Sequence, residues 1–402
     1  MSRIEELIAE LCPNGVPFKA LGEIGSFYGG LTGKTKSDFQ DGNSKFITYM
    51  NVFSNIALNT DISDTVKVKK GERQNCVEMG DILFTGSSET PDECGMSSVL
   101  TKQCPENLFL NSFCFGFRLS NKNLLLPDFS KYLFRSNLVR KQIEKTANGV
   151  TRFNVSKQKM LNVRVPILPH PVQEEIVRIL DSFTELEAEL EAELEARKKQ
   201  YEYYLYKLLT SSNKTKCMTL GDIGKVAMCK RILKSQTNTD HSGVPFYKIG
   251  TFGSVPDAFI SKDVFNEYRE KYSFPNKGDV LISAAGTIGR TVIYDGKPAY
   301  FQDSNIVWLA HNESVVLNKY LYYYYQLQPW AVSQGGTIPR LYNDNITKAK
   351  ILVPSIEQQR YIISLLDRFE TICTDISEGL PAEIQARRKQ YKYYRDKLLT
   401  FK

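Results

Sequence analysis

The feature that most constrains this chain is that it repeats itself once, in order, with a period of about half its 402 residues. Leu21-Gly-Glu-Ile-Gly25 returns as Leu220-Gly-Asp-Ile-Gly224, and Gly80-Asp-Ile-Leu83 as Gly278-Asp-Val-Leu281. Lys131-Tyr-Leu-Phe134 returns as Lys319-Tyr-Leu-Tyr322. Arg152 and Pro166 return as Arg340 and Pro354, both at an offset of 188 residues. Ala196-Arg-Lys-Lys-Gln-Tyr201 returns as Ala386-Arg-Arg-Lys-Gln-Tyr391, and both copies run on to Lys-Leu-Leu-Thr. A repeat of this kind implies one supersecondary plan used twice.

Each copy has two parts. The first mixes short β-rich runs such as Val280–Ile282, Thr291–Tyr294 and Ile306–Leu309 with Gly and Asn turn signals. One helix is expected near the end of each, around Pro127–Lys145 and Leu317–Val332, so each first part reads as an α+β domain. The second part is helical. Residues 172–209 hold neither Pro nor Gly, and Ile176, Ile179, Leu180, Phe183, Leu186, Leu190 and Leu194 recur at three- and four-residue steps. The counterpart starts near Ile356, and Gly379-Leu-Pro381 predicts a break before a last helix to about Leu399. A single apolar stripe on a helix this long needs a partner. The expected architecture is two similar globular domains separated by an antiparallel two-helix coiled coil with pseudo-twofold symmetry. The expected divisions are 1–165 (with a short N-terminal helix), 166–212, 213–353 and 354–402.

Residues 184–195 are a tandem repeat, TELE-AELE-AELE. Ala, Leu and Glu all favour helix, and the glutamates at every second position from Glu185 to Glu195 read as a solvated face. The unit reads as a spacer: four residues change a helix by about 6 Å.

Several function classes are excluded. The segment Gly29-Gly-Leu-Thr-Gly33-Lys34-Thr35 is one residue short of a phosphate-binding loop, because Tyr28 stands where the first glycine belongs. There is no N-P-P-Y or D-P-P-Y methyltransferase loop and no E-x-K nuclease core. No two of the eight cysteines are closer than ten residues, and there are three histidines, which disfavours zinc or redox motifs. Reduced thiols, three glutamates in the first ten residues and no long apolar run fit a cytoplasmic protein. The net charge of +7 permits a polyanionic partner without requiring one. A protein-binding coiled-coil scaffold and a single-chain enzyme are the competing readings; the enzyme lacks its motifs.

With the duplication in view, the chain resembles the specificity subunit of a type I restriction–modification system. The resemblance rests on Gly243-Val-Pro-Phe-Tyr-Lys-Ile-Gly250, Phe274-Pro-Asn-Lys-Gly-Asp-Val-Leu281, Ser283-Ala-Ala-Gly-Thr-Ile-Gly-Arg290, Tyr300-Phe-Gln-Asp-Ser-Asn305 and the two A-R-x-K-Q-Y-x-Y-Y helix ends. It implies two target-recognition domains, each reading one half of a split double-stranded DNA site. The helices would set the spacing and hold two methyltransferase (modification) subunits. A restriction/translocase subunit would join for cleavage. S-adenosylmethionine and ATP would belong to the partners, leaving this chain with no catalytic residue, metal or cofactor.

The DNA-contact candidates are basic or amide residues in loops, paired across the repeat. Lys34, Thr35 and Lys36 follow the first strand of copy one, and Lys230, Arg231 and Lys234 hold the comparable place in copy two; they suit phosphate or guanine. Asn111-Ser112-Phe113 aligns with Asp303-Ser304-Asn305, preceded by Gln302, and amides suit adenine edges. Arg152 in Asn148-Gly-Val-Thr-Arg-Phe-Asn154 and Arg340 in Gly336-Thr-Ile-Pro-Arg-Leu-Tyr342 suit either DNA contact or a structural place at the domain–helix junction. Arg290, after the Gly286-Thr-Ile-Gly289 turn, and Ser87–Ser88 complete the set. Tyr201, Tyr203, Tyr204, Tyr206, Tyr391, Tyr393 and Tyr394 read first as helix packing. Tyr201, Tyr204, Tyr391 and Tyr394 are also the candidates for docking the modification subunits.

Overall fold

A computed structural model describes residues 3–104, 107–211, 215–332 and 339–401. The chain forms two compact units, Met1–Glu191 with Ile384–Lys402, and Ala192–Glu383. The expected boundary at 212/213 and the first three residues of the Gly336–Tyr342 segment lie outside the described residues.

Each unit is built on a four-stranded antiparallel sheet of the same order. In the first unit the strands are β1 (Gly25–Gly29), β2 (Ile82–Thr85), β3 (Ser97–Val99) and β4 (Cys114–Leu119), arranged β1-β4-β2-β3. In the second they are β5 (Lys225–Met228), β6 (Val280–Ser283), β7 (Thr291–Ile293) and β8 (Ile306–Ala310), arranged β5-β8-β6-β7. Beside each sheet runs a short parallel pair, Ser44–Ile47 with Leu108–Leu110 and Val244–Tyr247 with Tyr300–Phe301. The repeated motifs have local causes. Gly80 and Gly278 take φ of +90° and +97°, which a glycine adopts without strain. The next residue closes that turn: Asp81 accepts the Glu78 N–H and Asp279 the Asn276 N–H, both at 2.8 Å. Beyond that turn the copies differ. Arg118 makes a two-pronged contact with Asp81 at 2.8 and 2.6 Å. Asp279 meets the Asn318 amide at 3.4 Å in place of a guanidinium, and burial pushes its carboxyl above the ordinary range.

The helical parts form as the periodicity predicts. Helix α1 runs without interruption from His170 to Thr210. Helix α2 (Ile356–Thr374) starts at Ser355, whose hydroxyl accepts the Gln358 N–H, and α3 (Leu380–Leu398) follows the break at Gly379. In the first unit, the first half of α1 buries Val172, Ile176 and Leu180 completely against the body, and Phe183 stacks on Tyr394 of α3 at 5.4 Å and 22°. In the second unit, α2 buries Ile362 and Leu366 in the body, and Phe369 stacks on Tyr204 of α1 at 5.5 Å and 22°. The same aromatic pair therefore closes an antiparallel helix contact in each unit. The glutamate face is not wholly solvated, because Glu187 and Glu191, in successive repeat units, both take the Arg388 guanidinium at 2.6 and 2.5 Å.

Three expectations need correction. The helix expected over Pro127–Lys145 is two, Pro127–Leu133 and Asn137–Glu144. Arg135, between them, is driven inward to donate to the carbonyls of Ser97, Val52 and Phe53, and burial without a carboxylate lowers its guanidinium to about 10. The counterpart is only Asn318–Gln326, ending before Gln328 at φ +47°. The single offset of 188 is also wrong. Leu21 and Leu220 donate to Val163 and Ala349, so the offset there is 186. Tyr132 and Tyr323 both donate to a carboxylate of the following helix, Asp181 and Asp367, so the offset there is 191. The two bodies differ in length between these points, and 188 fits neither. Arg340 therefore corresponds to Asn154, not Arg152.

A buried glutamine joins each body to its helix. Gln173 accepts the Leu126 N–H at 2.8 Å and donates to the carbonyls of Leu124 and Leu168 at 3.1 and 2.6 Å. Gln359 accepts the Leu317 N–H at 2.8 Å and donates to Val315 and Pro354, both at 2.9 Å. Both side chains are fully buried. Gln359→Leu strands these backbone groups and is expected to cost about 3 kcal/mol. The exposed neighbour Gln358→Leu is expected to stay within about 0.5 kcal/mol. Urea unfolding compares them, and equal losses would refute the role.

Candidate nucleic-acid interface

In each unit the chain folds several candidate loops onto one end of the central sheet. In the first unit Gly86 is the centre: its N–H donates to Phe113 O at 2.8 Å and its carbonyl accepts Val155 N–H at 2.9 Å. That brings the loops 86–88, 111–113 and 152–155 together, and Leu31 joins them by donating to Leu110 O at 2.7 Å. In the second unit Ala284 holds the same place, donating to Asn305 O at 2.7 Å and accepting Leu341 N–H at 2.9 Å. Ser304 and Arg340 line one open cavity there of about 650 Å³, with Met228 and Leu341–Asn345.

Within that frame the candidates separate by what they already touch. Lys34 is nearly buried and committed to Glu72 at 2.5 and 2.7 Å and to Lys67 O at 2.7 Å. The shortened glycine loop is thus closed by an internal ion pair. Thr35 caps the 3-10 turn Lys36–Phe39 through Asp38. Lys36 and Lys234 both open such a turn and are both exposed. Arg231 is exposed too, while exposed Lys230 lies over the Tyr272 ring at 5.3 Å. Asn111 turns its amide oxygen back on the Phe113 N–H at 2.8 Å, and Ser112 beside it is exposed. Asn111 and Gln302 donate their N–H groups to Ile47 and Tyr247, the matched ends of the parallel pairs, and Gln302 also accepts the Ile249 N–H. Arg152 donates to the buried Ser87 hydroxyl at 3.1 Å, and Ser88 to Glu93 at 3.2 Å. Arg340 donates to Ser304 O at 3.0 Å and faces Asn305 Oδ1 at 3.4 Å. Gly286–Gly289 is a turn closed on the Ser283 hydroxyl, and exposed Arg290 donates to Phe252 O at 2.8 Å.

The tyrosines divide by helix face. Tyr201 donates to Gln326 at 2.8 Å, Tyr391 lies 6.4 Å from Tyr132, and Tyr204 and Tyr394 form the stacked pairs already described. Their rings are engaged in helix and body packing. The outward members are Tyr203, Tyr206 and Tyr393. Met50, Phe113 and Val150 are also exposed; residue patterning names Phe113 only as the aligned partner of Asn305 and does not name Met50 or Val150 as candidates. Among the described residues no cluster could hold a metal ion, all eight cysteines are free, and no helix is long and apolar enough to cross a membrane.

The Lys34–Glu72 contact has a pH signature. Hydrogen bonding to Lys34 holds the Glu72 carboxyl at about 2. The folded value lies below the ordinary one, so the stabilisation is complete above about pH 4.5 and is lost as pH falls toward 2. Lys34→Met is expected to return the Glu72 midpoint toward the ordinary value in an NMR titration; an unmoved midpoint contradicts the assignment.

Comparison with known proteins finds the same doubling. A family profile described as "Type I restriction modification DNA specificity domain" matches residues 13–196 and again 212–386. A protein of Haemophilus influenzae named for a type I restriction enzyme specificity subunit is 54% identical over 261 residues, 63% of this chain and 68% of that one. The EcoR124I/EcoR124II specificity subunit of Escherichia coli is 32% identical over 266 residues, 61% of this chain; this chain spans 64% of that protein's length. Two solved structures share the fold at 17% identity. One belongs to work on complex assembly and conformational transition of the type I restriction–modification system (TM-score 0.63, covering 96% of this chain and 98% of that one). The other is the HsdS subunit from Thermoanaerobacter tengcongensis (TM-score 0.55, covering 96% of each). With both halves matched and the repeated body-and-helix plan in place, the chain belongs to the type I restriction–modification DNA specificity family, whose members are non-catalytic specificity subunits.

Proposed function

We propose that each body reads one half of a bipartite DNA site and that the helices set the distance between the halves. The observation that supports this is that two bodies of one topology carry loop-borne basic and amide residues at the same sheet end, and helix α1 runs unbroken from one unit into the other. A stiff helix fixes a separation where a flexible tether would not. The domains on this reading are 1–165 and 213–353, with 166–212 and 354–402 as helical spacers. Two modification subunits dock on the outward helix faces, where Tyr203, Tyr206 and Tyr393 are exposed. Those subunits carry S-adenosylmethionine, and a restriction/translocase subunit uses ATP for cleavage. The assembly works in the cytoplasm.

Mapping methylated adenines in the host genome yields both half-sites and the gap. Deleting Ala188–Glu191 removes about 6 Å of helix, close to two base-pair steps of ~3.4 Å. The gap is expected to shorten by about two base pairs with both half-sites unchanged. Altered half-sites with the gap intact contradict the reading.

Lys36 and Lys234 are proposed phosphate contacts. Replacing either with Ala in the assembled complex is expected to make the slope of log affinity against log salt shallower by about 1, with sequence preference kept. Lys34→Ala is expected to lower the unfolding temperature and leave the slope alone. Identical slopes in all three variants contradict the assignment.

A further inference from the structure

The two bodies are alike in topology but opposite in chemistry at one position of the candidate interface. Phe113 and Asn305 stand at the same place, each giving its carbonyl to the N–H of the residue that centres its site, Gly86 and Ala284. One side chain is a hydrocarbon ring and the other an amide. Phe113 is 61% exposed, so its ring is open to a partner at the centre of the candidate interface. Its backbone is hydrogen-bonded on both sides of the ring: the Asn111 amide oxygen accepts the Phe113 N–H, and the Phe113 carbonyl accepts the Gly86 N–H. Two further exposed apolar residues lie on elements tied to the same centre. Met50 follows Tyr49, whose hydroxyl donates to Ser87 O at 2.8 Å. Val150 tops the hairpin whose second strand, Phe153–Val155, pairs with Ser87–Ser88. Arg152 sits beside them on the Ser87 hydroxyl.

We infer that Phe113 is a specificity-determining contact of the first body, packing its ring on the C5-methyl group of a thymine in the major groove. This deepens the proposed DNA-reading function and rests on it. A phenyl ring has neither donor nor acceptor, and the thymine methyl is the apolar feature that a base pair presents in the major groove. The flanking Arg152, Ser112 and Asn111 carry the hydrogen-bonding groups that read the neighbouring base edges. At the same place the second body carries the Asn305 amide, whose Oδ1 faces Arg340 at 3.4 Å, so the second body has no apolar group there to meet a thymine methyl and the two half-sites differ at the corresponding base pair.

The test uses the full chain assembled with its modification subunits on duplexes carrying the mapped site. Each thymine is replaced singly by uracil, which lacks only the methyl group. For the wild-type complex, one substitution in the first body's half-site is expected to weaken binding about fourfold, the worth of one buried methyl. Phe113→Ala is expected to bind the thymine and uracil duplexes equally. Phe113→Leu keeps the penalty, and Asn305→Ala leaves it in place. A uracil penalty that persists in Phe113→Ala, or its absence at every thymine of that half-site, overturns the inference while leaving sequence-specific binding intact. So does brightening of 2-aminopurine beside the contact to the same extent on thymine and uracil duplexes, the sign of a wedge between base pairs. A wild-type complex that does not prefer the mapped site to a scrambled duplex overturns the parent reading instead.

Discussion

The structure depends on how a body is fixed to its helix. A body and a long helix made as separate rigid pieces would hold no fixed geometry if the joint between them could flex. In each unit that joint is closed by one buried glutamine whose three hydrogen bonds bridge the helix start, the segment before it and the loop leading into the body's own helix. Leaving such groups unpaired in an apolar setting is costly, so the arrangement has few alternatives. Lys131 and Lys319, which reach Asp181 and Asp367, add an ionic contact at the same joint.

Beyond the joint the helix contacts are of two kinds. Phe183 on Tyr394 and Phe369 on Tyr204 supply apolar area and a preferred ring geometry. Arg388 spans Glu187 and Glu191, which belong to successive four-residue units.

Much of the fold was legible because its signals are local. The break at Gly379-Leu-Pro381, the unbroken 170–210 helix, the strands 280–283, 291–293 and 306–310 and the Gly-Asp turns each follow from residues within a few positions of one another. The pairing of the copies failed where the bodies differ in length: identities at Lys131/Lys319 and Arg152/Arg340 gave one offset, while the tyrosine–aspartate hydrogen bonds give 191 and the backbone hydrogen bonds give 186. Chance identities of a common residue carry no register; a strand ladder does, because a slip turns side chains to the wrong face.

The amino-acid sequence by itself determined the doubling, the α+β bodies, the helices and the family resemblance, since periodicity, capping and turn chemistry act over short stretches. Tertiary structure decided which candidates are free to meet a partner. Lys34 and Lys36 are two residues apart and alike in sequence, yet Glu72, thirty-eight residues beyond Lys34, claims the first and leaves the second in solvent. Tyr203 and Tyr204 are adjacent, but only Tyr204 faces Phe369. What a charge or a ring can bind depends on the segment that folds back upon it, and that pairing is made by the whole chain.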